Sequence, residues 1–319
     1  MRAFIYIAIA ACVTTTTAHA QTYPAKPIRL LVPFGPGGVG DITSRAVMQK
    51  MSEAMNQQII IDNRPSAGGI VATETVAKSE PDGYTLYLMN NTNAVSAAMF
   101  RKLPYDTLKD FAMVSTIGAF SIVVLVSPDS PAKTVKELIA QAKSAGGKFN
   151  IGSINIGTTQ HLSAELLKSM AALDAATVPF NNTAGVLTAL RGNSIQVAME
   201  FLPPVVGQIR ANSLRAVAVT SKTRSPMLPN VPTLDESGLS GFEVNSWNGI
   251  AVPAKTPRAI VDRLNREIHA AVNSTLVSQR FQELGVSQNL STPDGMRKVL
   301  VDDIAKWNAL IDKAKIPRL

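Results

Sequence analysis

Two hydrophobic rhythms alternate along this chain. Ile28 to Val32 is a short aliphatic run of strand length, followed after a Gly- and Pro-rich break by apolar residues at helical spacing: Ile42, Ala46, Val47, Met51, Ala54 and Met55. The pattern predicts strand, glycine-rich turn, helix. Gln58 to Asp62 predicts a second strand, Asn63 to Gly69 a second glycine-rich turn, and Ile70 to Lys78 a helix. After the turn signal Pro81-Asp82-Gly83, Tyr84 to Met89 reads as a third strand, ending in the polar loop Asn90 to Asn93. Strands and helices in strict alternation predict a parallel α/β sheet, whose ligands bind beyond the carboxyl ends of the strands.

The rhythm then restarts. Phe120 to Val126 is a strongly apolar strand, Val135 to Ala145 a helix, Phe149 to Gly152 a strand, Ser153 to Thr159 a loop, and Gln160 to Met170 a helix. A strand around Val178, helix Gly185 to Leu190, strand Ile195 to Met199, short helix Val205 to Ala211 and strand Ala216 to Thr220 complete a second α/β unit. Pro226 to Gly241 reads as a long surface loop and Phe242 to Val252 as a further extended segment. Thr256-Pro257 and Thr292-Pro293 each set a capping residue before a first-turn proline, opening helices Arg258 to Asn273 and Asp294 to Ala314, with Leu276 to Leu284 helical between them.

The first turn carries candidate chemistry. A strand-to-helix turn rich in glycine leaves backbone N–H groups pointing into a cleft at the positive end of a helix, where a small anion can sit. Gly35, Gly37 and Gly40 also satisfy G-x-G-x-x-G, with Asp62 at the distance of a ribose-binding acid, so a dinucleotide site is an alternative. Pro33 and Pro36 stiffen the turn against that use, and Asp41 is better explained as a helix cap. A plain tight turn is the third reading.

The remaining chemistry is sparse. Met1-Arg2, the apolar Ala3 to Val13 and the A-x-A site Ala18-His19-Ala20 predict a cleaved signal peptide over residues 1–20, too short for a permanent anchor, and hence an exported protein. Its removal takes away the only cysteine, Cys12, and one of three histidines, His19. No disulfide, thiol nucleophile or thiolate metal site is then expected. With 31 Lys and Arg against 23 Asp and Glu, the basic residues are scattered without a run, so no nucleic-acid footprint is expected. No G-x-S-x-G, H-E-x-x-H or acidic metal loop occurs, and His161 and His269 alone do not make a catalytic set; no enzyme, cofactor or metal is expected.

Several spaced motifs occur in one order: Tyr23-Pro24-Ala25-Lys26-Pro27-Ile28, Val32-Pro33-Phe34 with Gly37-Gly38 and Asp41, Asn63-Arg64-Pro65 with Ala67-Gly68-Gly69, and Pro81-Asp82-Gly83-Tyr84. Lys102-Leu103-Pro104-Tyr105-Asp106, Gly157-Thr158 with His161-Leu162, Pro229-Asn230-Val231-Pro232-Thr233 and Ser246-Trp247 with Gly249 follow. Over essentially the whole chain after residue 20, this resembles the Bug family, the extracytoplasmic solute receptors of tripartite tricarboxylate transporters. The resemblance implies an α/β, two-lobed periplasmic binding protein, a type II-like clamshell in which each lobe is a mostly parallel sheet flanked by helices. Lobe 1 would comprise 21–123 and 249–319, and lobe 2 124–248.

It further implies a periplasmic monomer, cleaved after Ala20, that captures a small carboxylate between its lobes. The partners would be that ligand and the transporter's membrane subunits; the same module serving a signalling partner as a sensory receptor, or an exported NAD-binding oxidoreductase, are the alternatives. Carried over by position, lobe 1 would offer Phe34, Gly37, Gly38, Gly68, Gly69, Asn90, Asn91 and Thr92 to the ligand. Lobe 2 would offer Ser153, Gly157, Thr158, Thr159, the segment Phe180 to Thr183 with Asn181 and Asn182, and Glu200; Phe34, Phe180 and Phe201 read equally as a ligand wall or as ordinary core packing. Gly35 stands where proline is common in the family, Ile70 where asparagine is frequent, Asn181-Asn182 for a Lys-Gly pair, and Glu200 for an aspartate facing the cleft. These departures point away from a highly charged ligand such as citrate and toward a mono- or dicarboxylate with a polar or aromatic remainder.

Overall fold

The computed structural model describes residues 23–319; the signal peptide read over residues 1–20 lies outside the described residues. The first α/β unit comprises β1 (Ile28–Val32), α1 (Val39–Met55), β2 (Ile59–Asn63), a 3-10 turn at Ala67–Gly69, α2 (Ile70–Ala77), β3 (Thr85–Asn90) and α3 (Asn91–Met99). Next come β4 (Phe111–Val126), α4 (Val135–Ser144), β5 (Phe149–Ile154), α5 (Thr159–Ala171), β6 (Ala175–Phe180), α6 (Thr183–Arg191), β7 (Val197–Phe201), α7 (Val206–Arg210) and β8 (Arg215–Val219). The chain closes with β9 (Asn245–Pro253), α8 (Arg258–Val272), α9 (Thr275–Leu284), β10 (Ser287–Gln288) and α10 (Pro293–Ala314).

The strands join in the order β2-β1-β3-β9-β4-β7-β5-β6, with β8 and β10 also on β4. The sheet is mixed. β1 runs parallel to β2 and β3, and β5 parallel to β6 and β7, as strand–helix–strand crossovers require. Antiparallel pairing enters through the two long strands, β9 against β3 and β4, and β4 against β7 and β8. Helices cover both faces, so Leu30, Leu31, Val32, Leu86, Tyr87, Leu88 and Met89 are all fully buried.

β4 carries the architecture. Phe111 to Ser121 pair with β9, whereas Ile122 to Leu125 pair with β7 and Val123 to Val126 with β8. One strand thus belongs to both halves of the sheet. Its second part is the apolar run expected from Phe120 onward. The first part, broken by Ser115, Thr116 and Gly118, shows no clean alternation because the register shifts between Met113 and Ser115 and again between Thr116 and Gly118.

A second correction concerns Asn90 to Asn93, expected as a loop. Asn90 ends β3 and caps α3: its side chain accepts from the Thr92 N–H at 2.9 Å, and the Asn93 side chain accepts from the Asn90 N–H at 3.1 Å. This reciprocal pairing satisfies the helix's orphan donors, so a run of polar residues is buried at a helix start instead of looping through solvent. Asn91 is then a junction. It donates to Asp303 Oδ2 at 2.6 Å and accepts from Trp307 Nε1 at 3.1 Å, both on α10, and from Thr159 Oγ1 at 3.1 Å on α5.

Candidate functional site

The turn after β1 opens α1 with Gly38 as its N-cap, in extended conformation and with no side chain to cap it. Asp41, expected as the cap, sits inside the first turn instead. Its Oδ2 accepts from the Gly37 N–H and from Arg45 Nε, each at 3.0 Å. Burial pushes its carboxyl up, but the bonds from Arg45 and the Gly37 amide hold it below the usual range. Gly37 therefore has its amide occupied, while the Val39 and Gly40 amides open the helix without a side-chain partner.

α6 begins opposite. Asn182 caps it by accepting from the Gly185 N–H at 2.8 Å. The approach is close: a Cβ built on Gly35 would lie 3.0 Å from Asn182 Cβ and 3.1 Å from the Asn181 carbonyl. Between the two helix starts lies a narrow cleft of about 20 Å³, walled by Phe34, Gly35, Gly38, Val39 and Gly40 on one side. Ile154, Gln160, Asn181, Asn182, Thr183, Glu200 and Phe201 form the other side. No lysine, arginine or histidine lines it. An anion held there would rest on helix-start amides and neutral side chains.

Glu200, near the end of β7, is buried against this cleft. Its Oε1 accepts from the Phe201 N–H at 2.8 Å and from Gln160 Nε2 at 3.3 Å, while Oε2 has no partner. Burial raises its carboxyl to about 7, against weaker lowering by those hydrogen bonds and by the nearby Thr183 hydroxyl.

Gly37 aside, whose amide is taken by Asp41, the expected site residues fall into three groups. Phe34, Gly38, Asn181, Asn182 and Glu200 line the cleft. A second set joins the first α/β unit to the second beside it: the Gly68 N–H donates to the Ile156 carbonyl at 2.7 Å, and Ser96 Oγ bonds the carbonyls of Gly68 at 3.0 Å and Gly157 at 3.2 Å. Thr159 reaches Asn91, and its hydroxyl lies 3.5 Å from that of Thr92. Gly157 has a φ of +79°, and a Cβ on it would lie 2.4 Å from the Phe100 ring, so both its conformation and its surroundings require glycine.

The third group makes local bonds. The Gly69 N–H donates to the Ser66 carbonyl, Thr158 caps α5 by accepting from the His161 N–H, and Asn90 caps α3. Phe180 packs over Gly152 and Gly185, and Ser153 is fully buried with its hydroxyl unpartnered.

Thr183 and Phe201 line the cleft as well, and Gln160, Ile154, Val39 and Gly40 line it without having been expected there. The usable signal was position: Gln160 is a polar residue in the first turn of a helix, one step beyond Thr158 and Thr159. The G-x-G-x-x-G reading loses its support here. A Cβ on Gly40 would lie 2.9 Å from Leu88 and 3.0 Å from Phe34, so that glycine serves the packing of α1 on the sheet. Asp62 is engaged by Arg64 Nε at 2.9 Å and by Arg29.

The two remaining histidines lie away from the cleft lining. His161 is buried, which lowers its pKa and keeps the ring neutral. His269 Nε2 sits 3.2 Å from Ser115 Oγ and 3.1 Å from the Ser291 carbonyl, tying α8 to β4. Among the described residues no cluster of His, Cys, Asp and Glu could hold a metal ion, and no helix is long and apolar enough to cross a membrane.

Comparison with known proteins follows the same lines. Residues 43–316 match the family described as the tripartite tricarboxylate transporter family receptor. The fold matches the structure of the periplasmic binding protein BugD with a TM-score of 0.89 at 28% identity, covering 93% of this chain and 100% of that one. Rpa4515 of R. palustris, solved with adipate, gives a TM-score of 0.89 at 30% identity over 93% of this chain and 100% of that one. MatC from Rhodopseudomonas palustris, solved with bound malate, gives 0.86 at 28% identity over 91% and 100%.

Proposed function

The chain belongs to the tripartite tricarboxylate transporter receptor family, whose members are extracytoplasmic solute-binding proteins, and from that premise we propose that its own solute is a small mono- or dicarboxylate held between the starts of α1 and α6. The observation that carries this is the cleft itself: helix-start amides on both sides, no cationic side chain in the lining, and a buried carboxyl with one free oxygen. A ligand of low charge suits such a site, because amides and helix dipoles can hold one carboxylate without a full countercharge. Adipate and malate, bound by two structural neighbours, are of that class.

In this reading the protein is exported, cleaved after Ala20, and works in the periplasm as a monomer. It presents its loaded form to the membrane subunits of a transporter, and catalysis is not part of the role. Residues 21–123 with 249–319 move as one lobe and 124–248 as the other; the change of β4's partners between Ser121 and Ile122 supports a hinge near that point.

A thermal-shift panel on the protein lacking residues 1–20, stripped of co-purified ligand by partial unfolding, tests the assignment. Aliphatic dicarboxylates, citrate, acidic amino acids, aromatic acids and NAD make up the panel. A ligand at a hundred times its Kd contributes about 2.7 kcal/mol of stability, which moves the melting point by several degrees. A shift with a mono- or dicarboxylate supports the reading; a shift with citrate alone or NAD alone overturns it.

A further inference from the structure

Glu200 raises a question that a simple anion site leaves unanswered. It is 1% exposed, its Oε2 has no partner, and it shares a cleft with the amides that would hold a carboxylate. An ionised Glu200, itself buried, would face the ligand's negative charge with no cation in the lining. Such a pair is strongly disfavoured.

No group around it supplies the missing charge. The flanking strands β4 and β5 carry no titratable residue. On α5, Glu165 and Lys168 pair with each other, and His161 lies outside the lining. On α6 the only charged residue is Arg191, bonded to Gln208, and across the cleft Asp41 and Arg45 pair together.

We propose that the cleft is proton-linked: Glu200 stands in it as the neutral acid, and its Oε2 hydrogen is donated to the carboxylate that the α1 and α6 amides hold. This rests on the receptor reading above. The ligand is unchanged covalently; the proton comes from solvent, stays on Oε2 while the complex lasts, and returns when it opens. Between about pH 6, where the ligand's own carboxyls are ionised, and the point where Glu200 loses its proton, affinity is flat with pH. Above it, each pH unit removes about tenfold, because one proton must be bound with each ligand.

Two measurements decide it. The side-chain carboxyl carbon of Glu200, identified by its loss in Glu200→Gln, is followed by NMR from about pH 4 to 9 without ligand; titration near 7 is expected, and titration below about 5 overturns the proposal. Adipate and malate are then titrated calorimetrically from about pH 6 to 9, where their own carboxyls stay ionised. Wild type should lose about tenfold affinity per unit above about pH 7. Glu200→Gln, which keeps a donor at the same place but cannot ionise, should show no slope. A flat wild-type profile, or a slope that survives in Glu200→Gln, overturns the proposal. If neither probe binds at any pH, the receptor reading is at fault for these acids, and the carboxyl titration alone decides the state of Glu200.

Discussion

Gly157→Ala separates closure of the cleft from stability of the fold. The substitution does two things, and each has its own cost. At φ +79° any L side chain is strained by roughly 1–2 kcal/mol, whether the cleft is open or closed. The new Cβ would also stand 2.4 Å from the Phe100 ring and 3.3 Å from Gly68 Cα, about 1 Å inside normal carbon contact with the ring. Forced overpacking of this kind costs about 1–3 kcal/mol. Phe100 and Gly68 lie across the contact band from Gly157, so the clash exists only when the proposed lobes are together. The strain should therefore lower the melting point by a few degrees, and the clash should weaken ligand binding by roughly 5- to 150-fold.

Gly146→Ala is the control, because Gly146 has φ +55° with nothing within 4 Å of a built Cβ. It carries left-handed strain of its own, smaller than at φ +79°, without the clash. Calorimetric titration with the carboxylate that stabilises wild type, together with small-angle scattering of the ligand-free proteins, gives the readout. Gly157→Ala should bind more weakly and be the more expanded protein, while Gly146→Ala keeps wild-type affinity and dimensions. If Gly157→Ala binds as tightly as wild type, the band formed by Gly68, Ser96 and Gly157 does not govern closure and the reasoning fails.

Further substitutions test other parts of the argument. Gly38→Asp should abolish carboxylate binding in calorimetry while leaving the melting point within a few degrees, because a Cβ there meets only ordinary contacts at 3.7 and 3.8 Å and the added charge enters the anion site. Burial lifts the Glu200 carboxyl from 4.5 to about 7, so folding favours its protonated form; the contribution is complete below about pH 4.5 and lost as pH rises through about 7. Wild type should thus lose on the order of 3 kcal/mol relative to Glu200→Gln between those limits, read from urea midpoints. Asp303→Ala deprives Asn91 Nδ2 and Trp247 Nε1 of their acceptor at 2.6 and 2.7 Å, and should lower unfolding free energy by about 2–4 kcal/mol in the same urea assay.

The parts of this protein legible in its sequence are those whose causes are local. β1, its glycine turn and α1 follow from four aliphatic residues, three glycines and a helical period, and the capping pair at Thr292-Pro293 marks where α10 begins. α3 escaped because its capping residues are all asparagines, and a polar run reads as a loop until its side chains are seen bonding to their own backbone. The front half of β4 escaped because its bulges break the alternation that signals a strand. In the cleft, glycines and caps next to strand ends stood out, but Gln160 gains its place from Glu200, forty residues away, and Asn91 from Asp303 and Trp307, more than two hundred away. No window of neighbouring residues contains that information.

The insertion of β9 between β3 and β4 has a consequence for how the molecule is made. Until Asn245 to Pro253 have emerged, β3 and the front of β4 are both unpaired edges, and everything from α4 to β8 lies in the chain between β4 and that missing strand. An amino-terminal fragment therefore presents two long apolar edges suited to pairing with other chains. The second unit can assemble along the back of β4 first, but the first sheet is completed only by a segment more than a hundred residues later. Assembly of the first unit must wait for the end of synthesis, so a chain truncated before β9 should be aggregation-prone however well its remaining helices form.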